Sequence, residues 1–148
     1  MRAALAEADA ARAIGEVPVG CVLVGLDGAE LARGHNLAEA LQDPTAHAEM
    51  IAVRAAAAKI GSFRLEGVTA YSTFEPCPMC AGALVHARVA HVVYGVDNSK
   101  TGAVTSLYNV GNYGKMNHTF TLTRGVLADE SAARLCTFYA GPRAVFNK

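Results

Sequence analysis

The chain alternates between segments with helical and with strand-like spacing of apolar residues. An amphipathic helix is predicted over residues 1–14, and it ends at Gly15, a residue that tolerates the left-handed conformation of a helix C-cap. A β-rich segment over 17–24 precedes the turn Leu26-Asp27-Gly28 and a returning arm over 29–34. This order predicts a β-hairpin.

The rest of the chain continues the alternation. Residues 36–45 are predicted to form a loop, with Thr45 as the N-cap of the next helix. Alternating helices and strands predict an α/β fold with one mixed sheet covered by helices on both faces, in a single domain over 1–148 with a tail over 140–148 that could be flexible. The remaining predicted elements are helices over 46–60, 78–87 and 126–139, strands over 68–73, 90–95 and 120–123, and a long polar loop over 96–118.

The composition is that of a chain able to bury a core, because 52% of its 148 residues are hydrophobic. Its 13 Lys and Arg balance 13 Asp and Glu, which excludes a strongly basic nucleic-acid wrapper. Residues 1–86 nevertheless carry a net charge of −4 and residues 87–148 one of +4, so we expect a polyanion to contact the C-terminal half. We expect no secretory leader and no membrane span. Isolated Cys21 and Cys136 favour a reducing cytoplasm.

Residues able to bind a metal occur in two strings, His47-Ala48-Glu49 and Pro76-Cys77-Pro78-Met79-Cys80, each near the predicted start of a helix. Cysteines at i and i+3 project from one side of a first helical turn, where the helix dipole favours the thiolate. Taken alone, the two cysteines could form a structural metal clip or a redox pair. One imidazole and two thiolates would give Zn²⁺ three protein ligands and leave a fourth position for water, as in catalytic zinc sites.

Glu49 follows His47 by two residues, so on a regular helix the two side chains would point about 200° apart. Glu49 is therefore expected to flank the metal and not to bind it. A carboxylate in that place could take a proton from water and later deliver it to a leaving amine. An acidic residue in a first helical turn is otherwise commonly solvated and favoured by the helix dipole.

The His-x-Glu and Pro-Cys-x-x-Cys strings together are the signature of zinc-dependent nucleobase deaminases. Over about residues 1–139, the chain resembles the bacterial tRNA-specific adenosine deaminases of that superfamily. The strings that carry the resemblance are Gly15-Glu-Val-Pro-Val-Gly20, Asp43-Pro-Thr-Ala-His-Ala-Glu49, Glu75-Pro-Cys-Pro-Met-Cys-Ala-Gly-Ala83, Lys100-Thr-Gly102, Met116-Asn-His118 and Gly125-Val-Leu-Ala-Asp129.

This resemblance implies a cytidine deaminase-like, three-layer α/β/α sandwich around a five-stranded mixed sheet, and a homodimer. It implies one zinc ion per chain, bound by His47, Cys77 and Cys80, with proton transfer by Glu49. The residues that it implies as substrate contacts are Asn36, Ala48, Asp97, Asn98 and Asn117.

The predicted function is zinc-dependent hydrolytic deamination of adenosine to inosine at the wobble position of a tRNA anticodon loop, with other single-stranded nucleic acid as a possible partner. One alternative is deamination of a free base such as guanine or cytosine. Two residues depart from the pattern of the tRNA enzymes and bear on this alternative. Pro78 makes the Cys-x-x-Cys string similar to that of guanine deaminases, and Asn98 stands where the tRNA enzymes commonly have Asp. The other alternative is a non-catalytic, zinc-stabilised RNA-binding subunit. Glu49 argues against it, because such a subunit needs no proton shuttle.

Overall fold

The strands form one sheet in the computed structural model, which describes residues 1–141. They lie in the order β2-β1-β3-β4-β5, where β1 is antiparallel to both of its neighbours and the pairs from β3 to β5 are parallel. The predicted five-stranded mixed sheet is confirmed. The strands are β1 (Gly20–Val24), β2 (Glu30–His35), β3 (Thr69–Phe74), β4 (His91–Val96) and β5 (Thr121–Thr123).

The helices cover both faces of the sheet. Those of residues 1–141 are α1 (Arg2–Ala13), α2 (Ala38–Leu41), α3 (Ala48–Ile60), α4 (Pro78–His86) and α5 (Ala128–Ala140). Helices α1 and α5 contact each other on one face, and α3 and α4 contact each other on the other. The register explains this division, because Gly20 and Gly34 belong to adjacent pairs of the hairpin and so point to opposite faces. Gly20 lies against α1 and Gly34 against α3, which gives the three-layer α/β/α sandwich.

The main core lies between the sheet and the α3–α4 layer. Small residues on α3 let this helix lie close to the strands, since Ala48, Ala52 and Ala56 are fully buried. Larger side chains from α4 and β4 fill the remaining space, among them Leu84 and Tyr94. Burial of this apolar surface supplies the main favourable free energy of folding and holds α3 and α4 against the sheet.

Two local predictions were wrong. Residues 38–41, predicted as loop, form the short helix α2. Thr45 does not cap α3, because its N–H and its hydroxyl both donate to Oδ1 of Asp43 at 2.8 and 2.7 Å. This turn occupies the capping group of Thr45, and α3 begins two residues later than predicted.

The C-terminal prediction is tested only in part. Helix α5 continues to Ala140, so the first residue of the predicted tail is helical. The prediction that the tail could be flexible concerns mainly residues 142–148, which lie outside the described residues. In residues 1–141, no helix combines the length and the apolar character needed to cross a membrane.

The close approach of α3 to β2 predicts a stability effect at Gly34. A Cβ atom there would lie 2.7 Å from the carbonyl oxygen of Ala48 and 2.8 Å from Cβ of Ile51. We expect Gly34→Ala to lower the free energy of unfolding by about 1–3 kcal/mol, the usual cost of overpacking. Gly82→Ala is the matched control, because nothing lies within 4 Å of its added methyl group. Urea denaturation of both variants checks this, and equal stabilities would contradict it.

Candidate active site

Two helix starts bring the predicted metal ligands together. His47 is the N-cap residue of α3 and Cys77 is the N-cap residue of α4. Both have extended backbone, with φ and ψ of −74° and 156° at His47 and of −73° and 172° at Cys77. Pro78 occupies the first turn of α4, where its missing N–H costs no helical hydrogen bond. Cys80 follows in the same turn, so all three side chains leave the ends of neighbouring helices toward one point.

The spacing of the three donor atoms fits zinc. Nδ1 of His47 lies 3.6 Å from Sγ of Cys77 and 3.5 Å from Sγ of Cys80, and the two sulfurs are 3.6 Å apart. A tetrahedral ion with Zn–S of about 2.3 Å and Zn–N of about 2.0–2.1 Å would separate two sulfurs by about 3.8 Å and a sulfur and a nitrogen by about 3.6 Å. The donors therefore need almost no movement to bind the ion. The donor set and its geometry are those of a zinc site with one position left for a fourth ligand.

The three donor groups shift one another's proton affinities. The pKa of the Cys77 thiol is lowered to about 4, because its Sγ is hydrogen-bonded to Sγ of Cys80 and His47 lies beside it. The same hydrogen bond, together with burial, raises the pKa of Cys80, and contact with Cys77 raises the pKa of His47. A thiolate at Cys77 near neutral pH is the form that binds a metal ion.

Glu49 lies beside this cluster and is buried, with 4% of its surface exposed. Its Oε1 accepts a hydrogen bond of 2.9 Å from the hydroxyl of Ser72 on β3. Burial raises the pKa of the Glu49 carboxyl, and hydrogen bonds from its own backbone N–H and from Ser72 oppose that rise. His47 and Glu49 line one cavity, although a regular helix would separate their side chains, because His47 is the non-helical cap residue.

The cavity next to the cluster has a volume of about 250 Å³. It is smaller than the roughly 300–1,000 Å³ of sites for drug-sized ligands, so it suits one base better than a larger molecule. Its wall includes four predicted residues besides His47 and Cys77: Asn36, Ala48, Glu49 and Asn98. The other lining residues are Val17, Val19, Ala38, Phe74, Glu75 and Thr101.

Asn36 is held by a carboxylate that sequence reasoning missed. Nδ2 of Asn36 donates to Oε2 of Glu16 at 2.8 Å, and the N–H of Ala40 donates to Oε1 of Glu16 at 2.7 Å. Glu16 is 1% exposed. Because Glu16 accepts the Asn36 amide hydrogen, the amide orientation is fixed, and Oδ1 of Asn36 is the group left to accept a hydrogen bond from a ligand.

Asn98 also lines the cavity and organises its own loop. Its Oδ1 accepts from the N–H groups of Lys100 and Thr101 at 3.2 and 3.0 Å, and its Nδ2 donates to Oγ1 of Thr101 at 2.7 Å. Its backbone N–H donates to the buried carboxylate of Glu75 at 2.8 Å. Burial alone would raise the pKa of Glu75, but the hydrogen bonds from Asn98 and Ser106, among others, lower it.

Two predicted substrate contacts do not line this cavity. Asp97 is exposed next to Asn98, and its Oδ1 accepts a hydrogen bond of 2.8 Å from the hydroxyl of Tyr94. Asn117 lines a different surface pocket, which also includes Phe63 and Arg64. Within this chain, the structure therefore groups Asn36, Ala48 and Asn98 with the metal cluster and separates Asn117 from it.

Glu16, Ser72 and Glu75 were missed by sequence reasoning. Each is buried and polar, and each hydrogen-bonds a cavity residue or the loop that carries one. For the two acids a signal was available, because Glu16 and Glu75 stand inside strings that carry the resemblance. For Ser72 the sequence held no such signal, since a serine within a strand is common.

The geometry of the site agrees with the protein family that the sequence matches. The sequence profile of the cytidine and deoxycytidylate deaminase zinc-binding region matches residues 1–96, which include the metal cluster and Glu49. The chain belongs to this family of zinc-binding deaminases. The predicted resemblance, the deaminase class and the zinc cofactor are thereby confirmed, and the donor geometry of the cluster is consistent with that ion.

Some relatives within the family match nearly the whole length of the chain. It is 48% identical over 139 residues to a tRNA-specific adenosine deaminase of Haemophilus influenzae, covering 94% of this chain and 80% of the relative. It is 45% identical to the tRNA-specific adenosine deaminase of Bacillus subtilis, covering 94% of this chain and 86% of the relative.

Solved structures of tRNA and guanine deaminases also superpose on the chain. A structure from a study of A-to-I editing by tRNA:A34 deaminases superposes with a TM-score of 0.87 at 41% identity, covering 91% of this chain and 97% of the other. A guanine deaminase of Bacillus subtilis gives a TM-score of 0.64 at 30% identity, covering 99% and 94% of the two chains. The guanine deaminase of Nitrosomonas europaea, with a TM-score of 0.83 at 23% identity over 95% and 82% of the chains, shows a shared fold only.

The three-donor cluster predicts the behaviour of a ligand variant. We expect purified protein to contain about one zinc ion per chain and Cys80→Ala to lose both the ion and activity, since two remaining ligands cannot close the site. Cys136→Ala is the matched control, because Cys136 is a free, exposed cysteine outside the cluster. Elemental analysis of the three proteins provides the measurement. Full zinc occupancy in Cys80→Ala would show that the ligand set is wrong.

Proposed function

We propose that the chain catalyses hydrolytic deamination of adenosine to inosine at the wobble position of a tRNA anticodon loop. The observation that carries the proposal is the buried Glu49 carboxylate beside a three-donor zinc cluster, at the wall of a cavity sized for one base. The target base is partly unstacked in an anticodon loop, so flipping it into such a cavity costs little free energy. Relatives at 42–48% identity named tRNA-specific adenosine deaminase, of which the match covers 80–86%, support the choice of substrate.

The metal ligands in this proposal are His47, Cys77 and Cys80. When bound there, zinc supplies a Lewis acid that lowers the pKa of water near the reacting carbon. Glu49 accepts a proton from the attacking water and donates one to the amine as ammonia leaves C6 of adenine. Ser72 orients the Glu49 carboxylate by donating to Oε1, and the second carboxylate oxygen is then available for the proton.

Base recognition in this proposal depends on the two sides of the cavity. Asn36 offers its Oδ1 as a hydrogen-bond acceptor, because its Nδ2 is bound by Glu16. Ala48, which is fully buried, leaves room for the ring where a larger side chain would fill the cavity. Asn98 and its loop form the side on which the sugar and the phosphates would lie. Asp97 and Asn117 do not line the cavity, so a contact from either would be made outside it.

Product analysis tests the proposed reaction directly. We would incubate the protein with total tRNA, single-stranded DNA and a panel of free bases and measure the products by mass spectrometry. Inosine in tRNA is the expected result. Deamination of guanine or cytosine alone would favour the free-base alternative, and no product from any substrate would favour the non-catalytic alternative.

Replacing the proton-transfer group gives a sharper prediction. We expect Glu49→Gln to keep its zinc but to lose turnover by about 10²–10⁴-fold, the usual contribution of a general acid–base group. Glutamine has nearly the same shape but cannot accept the proton of water. The comparison requires zinc analysis and kcat for the variant and the parent protein. Near-normal turnover would show that Glu49 has another role.

The charge of the segment that follows β4 favours a polyanionic substrate. Between Asp97 and Asp129 the chain contains no Asp or Glu, whereas Lys100, Lys115 and Arg124 are exposed within that stretch. These side chains, on the segment that follows β4 and at the end of β5, are candidate phosphate contacts.

Salt dependence distinguishes a nucleic-acid substrate from a free base. For an RNA hairpin, we expect log KM to rise with log salt concentration by roughly 0.7–0.9 for each phosphate neutralised. Replacing one of Lys100, Lys115 or Arg124 with Gln should lower this slope by about one such increment. Steady-state kinetics across salt concentrations provide the test, and a flat profile would favour the free base.

We further propose a cytoplasmic homodimer in which residues 1–148 form one deaminase domain. Exposed apolar side chains near the end of α4 support a second copy as partner, since Phe63 is 69% exposed and Met116 is 40% exposed. Free cysteines throughout residues 1–141 are consistent with a reducing compartment. Light scattering at known concentration would measure the mass of the assembly.

A further inference from the structure

One buried carboxylate outside the metal cluster, that of Glu75, binds a single segment of the chain, residues 98–106. Glu75 follows β3 directly and is 2% exposed. All of its hydrogen-bond donors are neutral groups of that segment. Oε1 accepts from the N–H groups of Val104, Thr105 and Ser106 at 3.3, 2.8 and 2.8 Å, and Oε2 accepts from the N–H of Asn98 at 2.8 Å and from the hydroxyl of Ser106.

The segment folds around this carboxylate so closely that it needs a glycine. A Cβ atom on Gly102 would overlap Oε2 of Glu75 and would lie 2.6 Å from the carbonyl oxygen of Asn98. The N–H of Gly102 donates to that same carbonyl oxygen at 2.8 Å, and the N–H of Ala103 donates to the carbonyl of Pro76 at 2.9 Å. The carboxylate and the backbone beside it therefore fix the path of residues 98–103.

The segment bound in this way forms one side of the cavity. Asn98 and Thr101 line the cavity, and they are joined to each other by hydrogen bonds of 2.7 and 3.0 Å. Because the backbone N–H of Asn98 is itself bound to Glu75, the position of this side depends on the carboxylate. Glu75 also lines the cavity.

We propose that Glu75 is a positioning residue for substrate binding, which acts by holding Asn98 and Thr101 at the cavity wall. The inference deepens the proposed function and rests on it, because the wall in question is the one that would meet the sugar and phosphates of the target nucleotide. A wall that contacts substrate equally in the ground state and in the transition state contributes to KM more than to kcat.

The number and type of donors explain why this residue is a carboxylate. A carboxylate offers two acceptor oxygens, and both of those of Glu75 are used. A glutamine offers one acceptor oxygen and an NH₂ group that is itself a donor. In either orientation of the amide, the NH₂ group would face N–H donors of the segment and would leave buried groups unpaired. Glu75→Gln should therefore displace the segment although it preserves the shape of the side chain.

The test compares KM, kcat, zinc content and amide exchange in the full chain loaded with zinc. For Glu75→Gln on an RNA hairpin substrate, we expect KM to rise by about tenfold or more, as for loss of buried hydrogen bonds. We expect kcat to fall by a much smaller factor and zinc to remain at about one ion per chain. Hydrogen exchange of the amides in residues 98–106 should become faster.

A second variant tests the same contact without changing Glu75. Gly102→Ala places a methyl group against the carboxylate and should also raise KM and accelerate exchange in residues 98–106. Gly82→Ala is the matched control, because its added methyl group meets nothing within 4 Å. The control should leave KM and the exchange of residues 98–106 unchanged. If Glu75→Gln does not fold, Gly102→Ala decides the question alone.

Other results would overturn the proposal. Unchanged KM and unchanged exchange in both variants would show that Glu75 does not position the wall. Loss of zinc and of kcat in parallel, with KM unchanged, would show that Glu75 supports the metal ligands instead. Failure of the parent protein to deaminate any RNA would refute the proposed function, and the amide exchange of the variants would still show whether Glu75 holds the segment.

Discussion

The parallel pairing of β3 with β4 is the constraint on which the site depends. Phe74 is paired with Val96, so both strands end at the same edge of the sheet. The chain leaving β3 reaches Cys77 within three residues and starts α4, whereas the chain leaving β4 enters the segment that carries Asn98. A parallel pair therefore places the two cysteines of the metal cluster and the segment at the cavity wall side by side, as expected for α/β sheets, whose ligands bind beyond the carboxyl ends of strands.

The antiparallel strand β1 brings the remaining wall to the same edge. Because β1 is antiparallel to β3, its first residue lies near the end of β3, and the N–H of Gly20 donates to Oγ1 of Thr73 at 3.1 Å. β2 is antiparallel to β1 in turn, so it ends at this edge and delivers Asn36 there. Glu16 and Asn36, which are far apart along the chain, can then form their buried hydrogen bond.

The sequence could predict those parts of the site that are local, and the fold class with them. His47, Cys77 and Cys80 stand in short strings at helix starts, and periodicity located the strands and the main helices to within a few residues. Glu16, Ser72 and Glu75 escaped because their partners come from other elements, which strand pairing alone brings close. Glu49 lies beside the cluster and outside its donor set, as expected. The angle expected for a regular helix does not apply to this pair, because His47 is an extended capping residue.

Two buried carboxylates that bind residues of the cavity wall show how the fold keeps the site rigid. Burying a charge is costly unless hydrogen bonds compensate it. Glu16 and Glu75 are compensated by neutral donors on the wall residues Asn36 and Asn98 and on residues that follow them in the chain. The same hydrogen bonds that make burial tolerable thus fix the positions of the wall residues. A wall held in this way needs little reorganisation when substrate binds, which is the condition under which oriented polar groups are most effective in catalysis. Flexible charged side chains at the surface could attract the same substrate, but they could not hold its base against the metal cluster.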